Sequence, residues 1–186
     1  MCKMSMKPED NILELLYSTI NKIGKEKIQV GVNSDYNESA KFIDLILKSL
    51  DKASAKINDE NLLAVLEAML HFMLTVCTLP SMRKVELDNI SLDIVIPNLH
   101  NLRTSPDKSL VIQFINATDD IERLQNLKQI QPFEKNIWII SIKAVPVFYK
   151  NYTLLPKNRQ PHYSTIAIDI SKFLQEVGDN TMRFFH

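Results

Sequence analysis

The chain has 186 residues, 45% of them hydrophobic and 24% charged, with 22 basic and 22 acidic side chains and a formal net charge of +0. That composition belongs to a globular protein and excludes disordered, collagen-like and coiled-coil chains. The charge balance excludes a globally polycationic nucleic-acid binder. Only three glycines occur, Gly24, Gly31 and Gly178. They are too scattered for a G-x-G-x-x-G or G-x-x-x-x-G-K-[ST] phosphate cradle, which excludes dinucleotide-binding enzymes, P-loop NTPases and protein kinases. No G-x-S-x-G nucleophile elbow is present either.

The N-terminal MCKMSMKPED has no apolar core of a secretory signal. Cys2 and Cys77 form neither a disulfide framework nor a C-x-x-C metal pair. The expected location is therefore a reducing cytoplasm. Pro8, Glu9 and Asp10 mark a helix start, with Ile12, Leu15, Leu16, Thr19, Ile20 and Ile23 at helical spacing and Gly24 as its cap. Residues 27–32 alternate Ile28, Val30 and Val32 and predict a short edge strand. Residues 33–37 are turn chemistry, and 38–50 form a second amphipathic helix.

A third helix, capped by Asn58 or Asp59, runs to about Leu79 and is apolar almost all round. Glu67 and His71 near its middle, and flanks without an aromatic belt, favour a buried core helix over a membrane span. Beyond Pro80 the period becomes that of strands. Residues 83–87 and 91–96 are strands joined by the Asp88-Asn89 turn, 97–108 is a loop, and 110–115 is a strand covered on both faces. Thr118 caps a helix carrying Ile121, Leu124, Leu127 and Ile130, which Pro132 ends. Residues 136–145 form the strongest strand, and the helical crossover before it implies parallel pairing. A loop over 146–162, a strand over 165–170 and a short helix from Ser171 to Gly178 complete the pattern, and the apolar tail 183–186 is expected to pack.

The order from residue 59 is helix, strand, strand, strand, helix, strand. It resembles the αβββαβ core of the restriction-endonuclease-like, or PD-(D/E)xK, nuclease superfamily, over residues 59 to 145. The resemblance implies an acid on the second core strand, a (D/E)xK on the third and a glutamate on the first helix, gathered around a divalent metal. Carried over by position, Asp93 is the metal-binding acid, Gln113 takes the place of the second acid, and Glu67 is the helix glutamate. The lysine position falls on Ile115. A hard divalent cation prefers charged oxygen ligands, and an isoleucine cannot orient or deprotonate water. The resemblance therefore implies little or no nuclease activity, with Mg2+ or Mn2+ as cofactor only if cleavage survives. A migrated lysine such as Lys143, on the next strand, is the kind of group that could reach that site.

Bland readings compete at each position. Asp93 also reads as an outward residue of a half-solvated strand, and Glu67 and His71 as a polar pair at the rim of the core. Cys77 reads as a small hydrophobe. Residues 135–168 hold no Asp or Glu; Lys135, Lys143, Lys150, Lys157 and Arg159 alternate there with Trp138, Phe148, Tyr149, Tyr152 and Tyr163. Cations among flat rings suit a nucleic acid, with Lys143, Lys150, Tyr152, Lys157 and Arg159 as candidate contacts. The competing reading is a solvated basic loop anchored by its aromatics.

The expected architecture is α/β or α+β, with a mixed sheet of four to five strands, a buried central helix and extra N-terminal helices. Residues 1–57 form a helical extension and 58–186 the nuclease-like domain, or the whole is one domain. Three functions remain open. One is a catalytically silent nuclease-like protein that contacts nucleic acid, or a nucleic-acid-handling partner, through residues 143–162. Another is a scaffold that binds a protein partner by its N-terminal helices or tail. The last is a metal-dependent nuclease. No membrane association is expected.

Overall fold

A computed structural model describes residues 8–53, 58–116, 121–156 and 160–182. Helix α1 (Pro8–Ile23) ends at Gly24, whose φ of 97° is reached without strain only by glycine. Gly24 donates its N–H to the Ile20 carbonyl and accepts from the Ile28 N–H, so a second helix starts at once. This is α2 (Lys25–Ser34), where alternation predicts a strand. The outcome is decided by spacing: Ile28 and Val32, four apart, are buried, whereas Val30 between them is 67% exposed. On a strand all three would share one face. Helix α3 (Glu38–Ala53) follows.

Helix α4 (Asp59–Val76) is capped by Asn58, whose side chain accepts the Asn61 N–H at 2.8 Å. It is apolar on nearly every side because it is enclosed: Val65, Leu66, Met69, Leu70, Met73 and Leu74 are all fully buried. Among the described residues no helix is long and apolar enough to cross a membrane. The Tyr163 hydroxyl donates to the Leu66 carbonyl at 2.6 Å, tying the C-terminal part of the chain to the middle of α4.

Five strands form one sheet in the order β1-β2-β3-β4-β5: β1 (Met82–Leu87), β2 (Ile90–Ile96), β3 (Leu110–Phe114), β4 (Ile137–Lys143) and β5 (Lys150–Leu155). The first two pairings are antiparallel and the last two parallel. Asp88 and Asn89 both take positive φ, 52° and 62°, which gives the tight β1–β2 turn the twist its strands require. Helix α5 (Leu99–Thr104), capped by Asn98, and a 3-10 turn at Pro106–Lys108 occupy what the prolines mark as a loop. Helix α6 (Ile121–Ile130) makes the crossover from β3 to β4; the expected cap Thr118 lies outside the described residues, as does the tail 183–186.

The expected loop at 146–162 is corrected in part. It contains β5, whose Asn151, Tyr152 and Thr153 are buried. Chain reversal before β5 takes only residues 144–149, in which Val145, Val147 and Tyr149 pack on the α6 side of the sheet and Phe148 points fully into solvent. The expected strand at 165–170 is also corrected. Helix α7 (Ile166–Met182) begins there, and buried Ile166, Ala167, Ile170 and Ser171 follow helical spacing. Ser171 therefore lies inside this helix and does not cap it.

Alternation along β3 and β4 splits the interior into two cores. Ile112, Phe114, Trp138 and Ile140 join α1 to α4 and α7 on one face, together with Ile94, Ile96 and Tyr152. Val111, Ile115, Ile137 and Ile139 join Leu124 and Leu127 of α6 and Leu102 of α5 on the other. Helices α4 and α6 thus cover opposite faces of a mixed α/β sheet.

Two helical glycines give a paired test. A Cβ at Gly178 meets nothing within 4 Å, whereas one at Gly31 lies 2.8 Å from the Phe42 ring. Gly178→Ala is expected to stabilise the protein by about 0.5–1 kcal/mol in urea denaturation. Gly31→Ala is expected to forfeit that gain because Phe42 must shift.

Candidate functional site

The last two registered pairs before β2 and β3 part company are Val95 with Val111 and Ile94 with Ile112. The next positions are Asp93 and Gln113, and there side chains replace the backbone ladder. The Phe114 N–H donates to Asp93 Oδ2 at 2.8 Å, and Gln113 Nε2 donates to the Ser91 carbonyl at 3.1 Å. The structure therefore brings Asp93 and Gln113 together at the carboxyl end of β3.

The second oxygen of Asp93 is also engaged. Arg123 of α6 donates from its guanidinium to Asp93 Oδ1 at 2.9 Å, over a carboxylate that is only 16% exposed. Glu67 is held elsewhere: its Oε1 accepts from Arg83 Nε of β1 at 2.7 Å and lies 3.6 Å from Lys84 Nζ. His71, one turn further along α4, is exposed. Ile115 is completely buried in the α6-side core, so no charged group occupies the lysine position. Gln113 is buried too, and its Oε1 finds no hydrogen-bond partner among the described residues.

These donors do not fit a divalent cation. Such an ion needs several oxygen ligands and is bound best by carboxylates. Asp93 already neutralises a guanidinium, Glu67 neutralises two cations, and Gln113 is uncharged. Among the described residues, no three His, Cys, Asp or Glu side chains are grouped to hold a metal. Cys77 offers no nucleophile, since burial pushes its thiol up to about 11.

The basic segment is more ordered than a solvated loop. Lys143, at the end of β4, lies 3.8 Å from Asp59. Lys150 opens β5 with its ammonium 4.4 Å from the Trp138 ring centroid and 4.9 Å from that of Tyr152, and it donates to Asp169 Oδ2 at 2.9 Å. Tyr152 is fully buried, and its hydroxyl donates to the same oxygen at 2.7 Å. Its ring is not open to a base. Burial, and then the Asp169 carboxylate, drive the Tyr152 phenol far up, so it stays protonated. Lys157 and Arg159 lie outside the described residues. Phe148 is the one aromatic of the segment that stands fully in solvent.

Around this cluster opens a cleft of about 660 Å³ at the amino ends of β4 and β5, away from Asp93. Sequence reasoning missed Asp169 because reading 165–170 as a strand hid its helix. It missed Arg123 because α6 was read only for its apolar stripe; a cation on the crossover helix after an acidic strand position was the available signal.

No family model matches the chain, and no curated protein matches it. Solved structures do. The complex of restriction endonuclease PspGI with substrate DNA aligns at a TM-score of 0.57 and 11% identity, covering 95% of this chain and 98% of that one. Metal-depleted Ecl18kI with uncleaved DNA aligns at 0.55 and 8%, covering 93% and 80%. The same protein with uncleaved, modified DNA aligns at 0.51 and 8%, covering 91% and 71%. The chain therefore has a restriction-endonuclease-like fold.

Two measurements test the local chemistry. Asp93→Ala and Arg123→Ala are each expected to destabilise the protein by about 1–3 kcal/mol, and a double-mutant cycle to return a coupling of about 1 kcal/mol. Additive effects would mean the pair is idle. Burial alone would raise the Asp169 pKa, but the Tyr152 hydroxyl and the Lys150 ammonium outweigh it and hold the group below its ordinary 3.8. The stabilisation this carboxylate supplies is thus present above that value and lost as pH falls through the lower folded-state pKa. The stability difference between the unmodified protein and Asp169→Asn should be full at neutral pH and vanish in strong acid, as read by urea titrations across pH.

Proposed function

We propose that the chain is a DNA-binding protein on a nuclease fold whose metal-dependent cleavage is silent. One observation carries the silence: the guanidinium of Arg123 sits on the carboxylate that a metal ion would need. Ile115 compounds it by putting an apolar side chain at the lysine position. The binding half of the reading draws support from the fold shared with two endonucleases solved in complex with DNA. It draws further support from the acid-free run 135–168.

Lys143, at the carboxyl end of β4, and Lys157 and Arg159, which follow β5 in the basic run of the sequence, are the proposed phosphate contacts. Lys150 and Tyr152 act one step back, fixing the β5 edge through Asp169. Phosphate contacts of this kind give affinity that falls steeply with salt.

Incubation of the full chain with plasmid DNA and Mg2+ or Mn2+ is expected to leave the DNA intact. Anisotropy with a labelled duplex is expected to show salt-sensitive binding that the triple variant Lys143→Glu, Lys157→Glu, Arg159→Glu abolishes. Cleavage that disappears in Asp93→Ala would establish an active nuclease instead. Unchanged affinity in the triple variant would reject these contacts.

A further inference from the structure

The cleft beside Trp138 has a lining the DNA contacts above do not use. Four lysines reach it from four separate elements: Lys108 from the turn before β3, Lys135 from the turn before β4, Lys150 from β5 and Lys172 from α7. Asp107, Asp169 and Glu176 are the three carboxylates on the same walls. Lys150 and Asp169 cancel one another at 2.9 Å. Among the described residues, Lys135 and Lys172 make no ion pair within 4 Å. The four lysines face three carboxylates, so the lining carries a net positive charge of one and favours an entering anion.

The floor is aromatic. Trp138 and Phe173 meet edge to face with centroids 6.3 Å apart, and Val177 extends the apolar wall. The indole N–H donates to the Lys135 carbonyl at 3.0 Å, which fixes the tryptophan and the lysine-bearing turn relative to one another. Asn136 is pinned in turn by donating to the Pro106 and Asp107 carbonyls at 3.2 and 2.9 Å. The two turns that present Lys108 and Lys135 are therefore cross-tied, and the site is held in shape before any ligand arrives.

We infer that this cleft is a nucleotide-phosphate site, with the phosphate seated among Lys108, Lys135 and Lys172 and the base against Phe173. It lies at the amino ends of the parallel strands, opposite to the Asp93 end, and so forms a surface separate from Lys143 at the carboxyl end of β4. A flat base beside a phosphate matches a ring floor rimmed with ammonium groups better than a bare anion does. The phosphate is either that of a free nucleotide or that of a strand end.

Trp138 is the sole tryptophan of the chain, so its emission reports on the cleft alone. The full chain is titrated with thymidine, thymidine 5′-monophosphate and a 5′-phosphorylated tetrathymidylate. A saturable emission change is expected with both phosphorylated probes and not with thymidine. The variant Lys135→Gln/Lys172→Gln is expected to bind them at least about tenfold more weakly, with the salt slope reduced by about one per lysine. Lys48→Gln, on the exposed face of α3 and outside the cleft, is expected to bind as the unmodified protein does. Tighter binding of the tetramer assigns the site to a strand, and equal binding to a free nucleotide. Emission that never changes, thymidine binding as well as its monophosphate, or full affinity in the double lysine variant each overturns the inference. Duplex binding measured by anisotropy is read separately, so failure of the cleft and failure of the DNA-binding reading are told apart.

Discussion

The structure depends on β3 and β4 being covered on both faces. Leu110 to Phe114 and Ile137 to Ile142 are buried without a break. Burying five or six consecutive side chains requires helices above and below, which α4 and α6 supply. Fixing these two strands fixes the rest. Their parallel pairing demands a crossover, the crossover is α6, and α6 carries Arg123 to the edge where β2 and β3 separate. A charge on a surface helix is thereby delivered to a specific carboxylate by the hydrophobic requirement of its neighbours.

Asp93 occupies a position whose chemistry is set by what surrounds it. A carboxylate holding a backbone N–H with one oxygen and a guanidinium with the other has little field left for an ion. The same contacts make a sound structural clamp, since they close the gap where the β2–β3 ladder stops. On a restriction-endonuclease-like fold, Asp93 serves as a tie between strand and helix. A buried Gln113 whose side-chain oxygen finds no partner among the described residues marks the same spot as one where polar groups persist inside an apolar wall.

Much of this was legible in the sequence, and the reasons differ by element. The central helix, the β1–β2 hairpin and the strand–helix–strand unit are long, strongly periodic and punctuated by Asn58, Asp88-Asn89 and Pro132. Residues 27–32 and 165–170 misled because valine and isoleucine at every second place satisfy a strand over so short a window. Only the burial of positions four apart reveals the helix. Strand β5 was hidden for the opposite reason: Lys150, Asn151 and Thr153 look like loop residues, and their burial follows from pairing with β4 that no local pattern encodes. Element order alone sets Asp93 near Gln113, whereas the positions of Arg123 and Asp169 depend on contacts between distant segments.

The six-residue return between β4 and β5 has a kinetic consequence. Parallel neighbours are usually separated by a dozen or more residues of crossover and are slow to find one another. Here Trp138 meets Lys150 and Lys143 meets Leu155, so partners sit twelve positions apart, as close in sequence as in a long hairpin. Closing a loop of that scale takes about 10–100 ns and little chain entropy. The β4–β5 pairing is thus the more local of the two parallel pairings, since Val111 and Ile137 across β3 and β4 lie 26 positions apart.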